Sequence, residues 1–359
     1  MRLIPLQIKQ KSNSLNRSLL WEVSYSLACN PPNCVEKIRG SIVVIPNLYG
    51  YSPFAMNSKI PAPFRILLAV DGSEYSMAAT QLVSDLLLLP HSRITILGVV
   101  PRGQSVYESK LNAALRQSEK MLGRKAIETE SVLLFGHAAK ELIKYGSEHR
   151  PDLMVIGAKG LYATLKILLG GVAHQVVENA RWPVLVTRTP YHGLRRVLLA
   201  TDGSQNCRLA AEYLARFPLP PQAEIQVMHA QPLLAETDLS PYSMRPIAYL
   251  TPSMPIPAHR PNASYQAELQ KQKGRAILAE TRRILEAAGH KTTGFILDGD
   301  PAPQILAYSQ SRGVDLIAAG SRGLSAIEGW WWGSVSRKLV HYAHSSVLFV
   351  RTDTEDNTE

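Results

Sequence analysis

The residues whose chemistry is easiest to interpret are three glycines and a serine near the carboxyl end of the chain. Gly320, Gly323, Gly333 and Ser334 form the pattern G-x2-G-x9-G-S. The segment DLIAA before this pattern is typical of a buried strand, and SVSRKLVHYA at its end is typical of a helix. Glycines let backbone amides approach an anion, and a helix N-terminus favours negative charge through its dipole and unpaired amides. The pattern therefore predicts a phosphate-binding loop.

Two side chains add to this prediction. Arg322 lies between the first two glycines, where its guanidinium would form a charge-assisted bond to a phosphate. The Ser334 hydroxyl either donates to a phosphate oxygen or caps the helix that follows. No GK[ST] sequence occurs, so the loop is not a Walker A motif. The alternative is that the glycines only allow a helix to pack closely on a strand.

The chain contains an internal repeat that includes this pattern. Three pairs of segments match in the same order: RILLAVDGS (65–73) with RVLLATDGS (196–204), PDLMVIGAKG (151–160) with VDLIAAGSRG (314–323), and WPVLVTRT (182–189) with SSVLFVRT (345–352). The first pair agrees at seven of nine positions. Matched segments in one order indicate a duplicated domain.

The matches divide the chain into regions. We predict a first repeat at residues 64–189 and a second repeat at residues 194–352, joined by the short segment TPYHGL. The second repeat is longer because it contains a proline-rich insertion at residues 231–262. Residues 1–63 match neither repeat and are expected to be poorly ordered. Residues 353–359 form an acidic tail.

Each repeat consists of short apolar segments that alternate with longer amphipathic ones, which indicates an α/β fold. We predict two tandem Rossmann-like domains, each with a five-stranded parallel sheet flanked by helices. Such sheets bind ligands beyond the carboxyl ends of their strands, where the strand order reverses. The DGS turns and the glycine loops both follow strands, so they should converge on one crevice in each repeat.

The first repeat keeps the glycine spacing but loses the serine. Three glycines of the first repeat match those of the second: Gly157, Gly160 and Gly170. The motif then expects Ser or Thr, which the second repeat has as Ser334, but the first repeat has Gly171. The backbone amides survive this change and the hydroxyl does not. One neutral hydrogen bond contributes about 0.5–1.5 kcal/mol, or roughly two- to tenfold in affinity. The first repeat is therefore expected to bind more weakly, or to bind a smaller ligand.

Three consecutive tryptophans, 330–332, stand directly before Gly333. The first repeat has Ile167, Leu168 and Leu169 at the matching positions, so the stretch is apolar in both repeats. We interpret the tryptophans as a contact with a neighbouring sheet edge, domain or subunit in preference to a platform for base stacking.

These motifs are similar to those of the universal stress protein family in its tandem two-domain form. The resemblance covers residues 64–352, and the G-x2-G-x9-G-[ST] string is characteristic of the family's ATP-binding branch. It implies binding of ATP or another adenine nucleotide, with or without Mg²⁺. We expect an intrachain pseudo-dimer, with a homodimer as a further option, in the cytoplasm.

The resemblance also implies roles for individual residues. The family's acidic residue after the first strand contacts the adenosine end and corresponds to Asp202 and Asp71. The residue that closes the second strand contacts adenine through its backbone and corresponds to Ala230 and Val99. The phosphate-binding residues correspond to Gly320, Gly323, Gly333, Ser334 and Val335. For the two aspartates, a role in turns and helix capping is the alternative.

Composition argues against several other classes of protein. The net charge is +10, but residues 1–60 hold seven Lys/Arg and two Asp/Glu, so half of it lies there and nucleic acid is not an expected partner. No apolar run is long enough to span a membrane. His341 and His344 have no carboxylate or cysteine at a metal-ligand spacing. Cys207 is expected to pack in the core, although its place on the helix after DGS would also suit a reactive thiol.

Three functions remain open at this point. The first is a regulatory protein whose nucleotide occupancy tunes its conformation or its partners. The second is a slow ATP hydrolase or nucleotidyl-transferring enzyme, for which no nucleophile or base stands out in the sequence. The third is an interaction scaffold that binds no nucleotide.

Overall fold

The computed structural model describes residues 9–10, 21–22, 63–101, 103, 105–123, 127–161, 169–231, 263–321 and 333–351. Strands β1 (Lys9–Gln10) and β2 (Trp21–Glu22) form an antiparallel pair in a unit of their own, Met1–Asn57. Both repeats belong to a second compact unit, Ser58–Glu359. The expectations for most of residues 1–63, for the body of the insertion and for the acidic tail lie outside the described residues.

The first repeat alternates strands and helices as predicted. Its elements are β3 (Arg65–Ala69), α1 (Glu74–Asp85), β4 (Arg93–Val100), α2 (Ser105–Leu122), β5 (Glu128–Phe135), α3 (Ala138–His149), β6 (Leu153–Gly157), α4 (Gly171–Asn179) and β7 (Val184–Thr187).

The second repeat follows the same order. Its elements are β8 (Arg196–Thr201), α5 (Gln205–Ala215), β9 (Glu224–Gln231), α6 (Ala263–Ala287), β10 (Thr292–Asp298), α7 (Pro301–Arg312), β11 (Leu316–Gly320), α8 (Ser334–Tyr342) and β12 (Ser346–Val350).

The strands of both repeats lie in one ten-stranded sheet, in the order β10-β9-β8-β11-β12-β7-β6-β3-β4-β5. Within each repeat the five strands are parallel, which confirms the predicted fold class. The last strands of the two repeats, β7 and β12, pair antiparallel, with Leu185 opposite Leu348. The two predicted sheets are therefore joined edge to edge.

Both faces of this sheet are covered by helices, which explains the continuous apolar strands. Leu68 and Leu199 are buried on the face covered by α1, α2, α5 and α6. Leu67 and Leu198 are buried on the other face, against α4, α7 and α8. Because a parallel strand buried on both faces needs apolar residues at every position, RILLA and RVLLA show no alternation. Each core contains residues of both repeats.

Further contacts tie the repeats together away from the β7–β12 pair. The Tyr213 hydroxyl of the second repeat donates to the Asp152 carbonyl of the first at 2.8 Å, and its ring packs edgewise on Phe64. The Leu87 amide donates to the Pro218 carbonyl at 2.9 Å. The two repeats therefore fold as a single body.

Candidate functional site

The sheet topology brings the two predicted parts of each site together. In the first repeat β3 pairs with both β4 and β6, so the strand order reverses beside it. The DGS turn follows β3 and the GAKG loop follows β6, both at carboxyl ends. In the second repeat β8 lies between β9 and β11 in the same way. The predicted convergence of turn and loop is thus present in the first repeat; in the second, the strand end at Gly320 lies beside the start of α5, and the rest of the loop is outside the described residues.

Close packing accounts for the first glycine of each pattern. A Cβ added at Gly157 would lie 2.8 Å from the backbone carbon of Tyr75 at the start of α1. A Cβ at Gly320 would lie 2.8 Å from the backbone of Asn206, at the start of α5. Contacts this short require glycine where the strand end meets the helix. At these two positions the packing interpretation is confirmed.

The two aspartates form the turns that precede α1 and α5. Asp71 Oδ1 accepts a hydrogen bond from the Ser73 amide at 2.9 Å, and Asp202 Oδ1 accepts one from the Ser204 amide at 2.9 Å. Ser73 and Ser204 then cap the two helices with their side chains. The turn role proposed as an alternative for the aspartates is therefore observed in both repeats.

In the first repeat the second oxygen of Asp71 reaches the glycine loop. Asp71 Oδ2 accepts a hydrogen bond from the Leu161 amide at 3.2 Å. A Cβ on Gly160 would lie 2.7 Å from the same oxygen, so this glycine leaves room for the carboxylate. Asp71 thus joins the turn to the loop, a contact that sequence spacing gave no means of finding.

Lys159 is a candidate site residue that the sequence analysis did not single out. It lies between Gly157 and Gly160 and matches Arg322 of the second repeat. Its Nζ lies 5.5 Å from the centre of the Tyr75 ring, within the range of a cation–π contact. The alignment of GAKG with GSRG carries the signal, because it pairs Lys159 with Arg322 and so keeps a cation at this position.

The helices that follow the glycine loops start without a side-chain cap. Gly170 and Gly333 are the N-cap residues of α4 and α8, and neither helix has a cap bond from the side chain at that position. The Gly170 amide donates to the Ala158 carbonyl at 2.7 Å, and the Gly333 amide donates to the Ser321 carbonyl at 3.1 Å. These two amides are already engaged, so an anion would bind the amides of the next residues, which have no partner within the helix.

Ser334 and Gly171 are the first residues of these helices, and both are exposed. Ser334 is not the N-cap residue, so of its two predicted roles the capping role is not observed. Val335 follows it and packs partly against the core. Ser336 donates from Oγ to the Gly320 carbonyl at 2.8 Å, which fixes the start of α8 to the end of β11.

In the first repeat, Val99 points its backbone groups towards the crevice. In β4 the Leu97 carbonyl accepts from the Val70 amide on the β3 side, and the Val100 carbonyl accepts from the Gly136 amide on the β5 side. Since successive residues of a strand direct their backbone groups to opposite sides, those of Val99 point to the β3 side. Strand β3 ends at Ala69, so these groups face the space beyond its end.

Ala230 has the same arrangement in the second repeat. The carbonyl of the next residue, Gln231, accepts from the Gly299 amide at 2.7 Å on the β10 side. The backbone groups of Ala230 therefore point towards β8, which ends at Thr201 opposite His229. Both predicted base-contacting residues thus lie at the carboxyl edge of the sheet, next to the strand that precedes the DGS turn.

Part of the predicted site falls outside the described residues. Arg322, Gly323 and the three tryptophans at 330–332 are in this part of the chain. Of the matching apolar residues in the first repeat, Ile167 and Leu168 are outside as well, whereas Leu169 is buried in the core beside α4.

Two chemical alternatives can be assessed on the described residues. Among them, no group of three or more His, Cys, Asp and Glu side chains is placed to hold a metal ion. Burial, reinforced by the nearby charge of Asp202, raises the pKa of the Cys207 thiol to about 11. Cys207 is therefore a core residue, as expected, and not an activated thiol.

Over the described residues, no helix combines the length and the apolar character needed to cross a membrane.

Comparison with known proteins gives a consistent result. The chain is 29% identical over 159 residues to the universal stress protein YxiE of Bacillus subtilis, a match to 44% of this chain and 98% of that protein. It is 25% identical over 206 residues to the universal stress protein Rv1996 of Mycobacterium tuberculosis, covering 55% of this chain and 58% of that protein.

The fold has solved counterparts as well. A universal stress protein from Archaeoglobus fulgidus superposes with a TM-score of 0.55 at 20% identity, covering 80% of this chain and 98% of that one. The model of the universal stress protein family matches residues 64–188 and again residues 193–351. With both repeats matched, the chain belongs to the universal stress protein family.

Proposed function

We propose that this chain is a nucleotide-binding regulatory protein of the stress response, and that its second repeat holds ATP or another adenine nucleotide. The observation that carries this proposal is the start of α8, which has no side-chain cap and opens at the carboxyl edge of the sheet. By contrast α5, at the same edge, is capped by Ser204. Among the described residues no side chain caps this helix start, so the positive end of the α8 dipole would be available to an anion.

The second repeat offers a group for each part of the nucleotide. The triphosphate would bind the amides of Ser334 and Val335, the Ser334 hydroxyl, and the GSRG loop with Arg322 and Gly323. Asp202 and the backbone of Ala230 would contact the adenosine. Magnesium would enter with the triphosphate, whose oxygens supply ligands of the kind it prefers.

The first repeat would bind nucleotide more weakly. It keeps Gly170, the uncapped helix start and Lys159. It lacks a hydroxyl at Gly171, the position of Ser334 in the second repeat. The joined sheet and shared cores support the view that the two repeats act as an internal pseudo-dimer with one strong and one weak site.

Matched variants at the two helix starts test this proposal. Ser334→Glu and Gly171→Glu each place a negative charge at the first residue of a helix. There it repels phosphate but stabilises the helix by about 0.3–1 kcal/mol. Both positions are exposed, and a Cβ on Gly171 would meet nothing within 4 Å. Each variant should therefore fold while losing only its own site.

The measurement is the adenine nucleotide bound per chain after equilibrium dialysis with ATP and magnesium. We expect Ser334→Glu to abolish the tight binding and Gly171→Glu to leave it unchanged. Binding that survives in Ser334→Glu with unchanged affinity, or no binding by the native chain, would contradict the proposal.

A further inference from the structure

The start of α4 is tied by backbone hydrogen bonds to the last strand of its own repeat. The Gly170 amide donates to the Ala158 carbonyl at 2.7 Å, and the Ala158 amide donates to the Thr187 carbonyl at 2.9 Å. Gly170 is the N-cap residue of α4, and Thr187 is the last residue of β7. Two hydrogen bonds therefore connect the helix start of the first repeat to the end of β7.

The second repeat has the same two bonds at the matching residues. The Gly333 amide donates to the Ser321 carbonyl at 3.1 Å, and the Ser321 amide donates to the Val350 carbonyl at 3.1 Å. Gly333 is the N-cap residue of α8, and Val350 is the last residue of β12. The helix start of the second repeat is thus connected to the end of β12.

An arginine that directly follows each of these strands binds the other repeat. Arg188, after β7, donates from Nη2 to the Val340 carbonyl in the last turn of α8 at 2.6 Å. Arg351, after β12, donates from Nη1 to the carbonyl of Ala180, the C-cap residue of α4, at 3.0 Å. With helices α4 and α8 themselves, these bonds form a closed series of contacts that crosses between the repeats twice.

The two arginine contacts differ in burial. Arg188 is buried, and its backbone amide also donates to Ser346 Oγ of the second repeat at 3.1 Å. The contact of Arg351 is only partly buried. Arg351 is therefore the one of the two that can be replaced with less disturbance of the core.

We propose that Arg188 and Arg351 couple the two nucleotide sites, so that occupancy of one repeat strengthens binding in the other. The inference rests on the proposed function, because it concerns the regulation of the same two sites. An anion at the start of α8 would order the backbone of Ser321 and Val350 and so hold Arg351 against the end of α4. A helix already held at its end loses less conformational entropy when its start binds an anion, which makes the coupling positive.

The test compares the weak site of the first repeat with the second site full and with it empty. In a calorimetric titration of the native chain with ATP and magnesium, the second binding step reports the weak site while the tight site is full. In Ser334→Glu the weak site binds while the second site is empty. We expect its dissociation constant to be at least about fivefold larger in Ser334→Glu, the lower end of typical allosteric coupling. Equal constants would overturn the inference.

The same comparison in Arg351→Met assigns the coupling to the arginine contact. Arg351 lies in neither proposed site, and any direct effect of the carboxylate added in Ser334→Glu is the same in both backgrounds. We expect the ratio of the two dissociation constants to fall to at most half of its native value. Arg93→Met is the matched control, because it removes the same charge from an ion pair within the first repeat and should keep the native ratio. An unchanged ratio in Arg351→Met, or an equal fall in Arg93→Met, would overturn the inference.

A second measurement needs no nucleotide. The His174 amide donates to the Gly170 carbonyl at 2.9 Å, so its hydrogen exchange reports on the first turn of α4. We expect faster exchange at this amide in Arg351→Met, while the Met77 amide in the first turn of α1 keeps its native rate. A native rate at His174 would also overturn the inference. The proposed function fails on a different result, namely no tight binding by the native chain or by Gly171→Glu, so the two failures are distinguishable.

Discussion

At the scale of single residues, two glycines of the same motif are present for different physical reasons. Gly157 is glycine because helix α1 leaves no space for a Cβ, with the Tyr75 backbone 2.8 Å away. Gly171 has open space around it, with nothing within 4 Å of an added Cβ. One motif therefore combines a packing requirement with a position that is sterically tolerant.

Alanine substitutions should separate these causes. We expect Gly157→Ala to lower the free energy of unfolding by about 1–3 kcal/mol, because the strand end and α1 must move apart. Gly171→Ala should leave it unchanged or raise it by about 0.4–1 kcal/mol, because alanine restricts the unfolded chain. Urea unfolding followed by circular dichroism measures both. Equal effects of the two substitutions would refute the packing explanation.

Cys207 gives a second prediction at this scale. The thiol is buried, with its pKa raised to about 11, so little thiolate forms at neutral pH. We expect iodoacetamide to label Cys207 far more slowly in the native protein than in urea, as followed by peptide mass spectrometry. Labelling at a similar rate in both states would show that the helix dipole activates the thiol after all.

At the scale of elements, helices α1 and α8 differ in whether a side chain binds the backbone amides of their first turn. Ser73 caps α1 by accepting from the Ser76 amide at 3.2 Å. Ser334 is the first residue of α8 and forms no cap bond. The same residue type thus has a structural role in one helix and a proposed ligand-binding role in the other.

The matched variants Ser73→Ala and Ser334→Ala test this difference. Ser73→Ala should cost about 0.5–2 kcal/mol of stability, the usual range for a lost cap. Ser334→Ala should change stability by less than about 0.5 kcal/mol but weaken ATP binding roughly two- to tenfold. Thermal unfolding and calorimetric titration measure the two effects. A large stability loss in Ser334→Ala would mean that its hydroxyl supports the helix.

The elements themselves could be predicted from the sequence, and their connection across the repeats could not. Apolar runs and amphipathic stretches predicted alternating strands and helices, and both repeats have them in that order. The pairing of β7 with β12 had no local signal, because both strands are mostly apolar and such a strand pairs with any sheet edge that buries it.

The candidate site was predictable to the extent that it depends on local motifs. The turns at Asp71 and Asp202 and the helix starts at Gly171 and Ser334 lie where the spacing placed them. The bond from the Leu161 amide to Asp71 joins residues 90 positions apart, and only the packing of β3 beside β6 brings them together. Sequence spacing carries no information about such a contact.

At the scale of the whole molecule, two equivalent arginines bind across the junction of the repeats. Arg188 follows β7 and donates from Nη2 to the Val340 carbonyl near the end of α8, at 2.6 Å. Arg351 follows β12 and donates from Nη1 to the Ala180 carbonyl at the end of α4, at 3.0 Å. Each repeat thus places a cation at the negative end of the other repeat's helix.

Removing one of these arginines should loosen the junction. We expect Arg351→Met to lower the free energy of unfolding by about 1–2 kcal/mol, towards the lower end for a hydrogen bond to a charged group because the site is only partly buried. Arg93→Met is the control, because the ion pair of Arg93 with Glu128 is exposed to solvent. Its loss should lower the free energy of unfolding by less. Urea unfolding of both variants makes the comparison. A loss in Arg93→Met as large as that in Arg351→Met would argue against a special role for the junction.

The same junction contains His341, whose pKa is shifted by its surroundings. The rings of His174 on α4 and His341 on α8 lie 5.4 Å apart, centre to centre. Burial, together with the positive charge of His174, Arg188 and Arg337, lowers the pKa of His341, and Glu178 only partly opposes this. The folded protein therefore holds His341 neutral at pH values where the unfolded chain, with a pKa near 6.5, is protonated.

The sign of the effect follows from proton linkage. Just below pH 6.5 the unfolded chain binds more protons than the folded one, so stability falls as pH falls through the window between the two pKa values. We expect the unfolding midpoint to drop less between pH 7.5 and 5.5 in His341→Gln than in the native chain. His192→Gln, at an exposed position, should keep the native pH profile. If His341→Gln and the native chain lose stability in parallel, the acid sensitivity arises elsewhere than at the contact between α4 and α8.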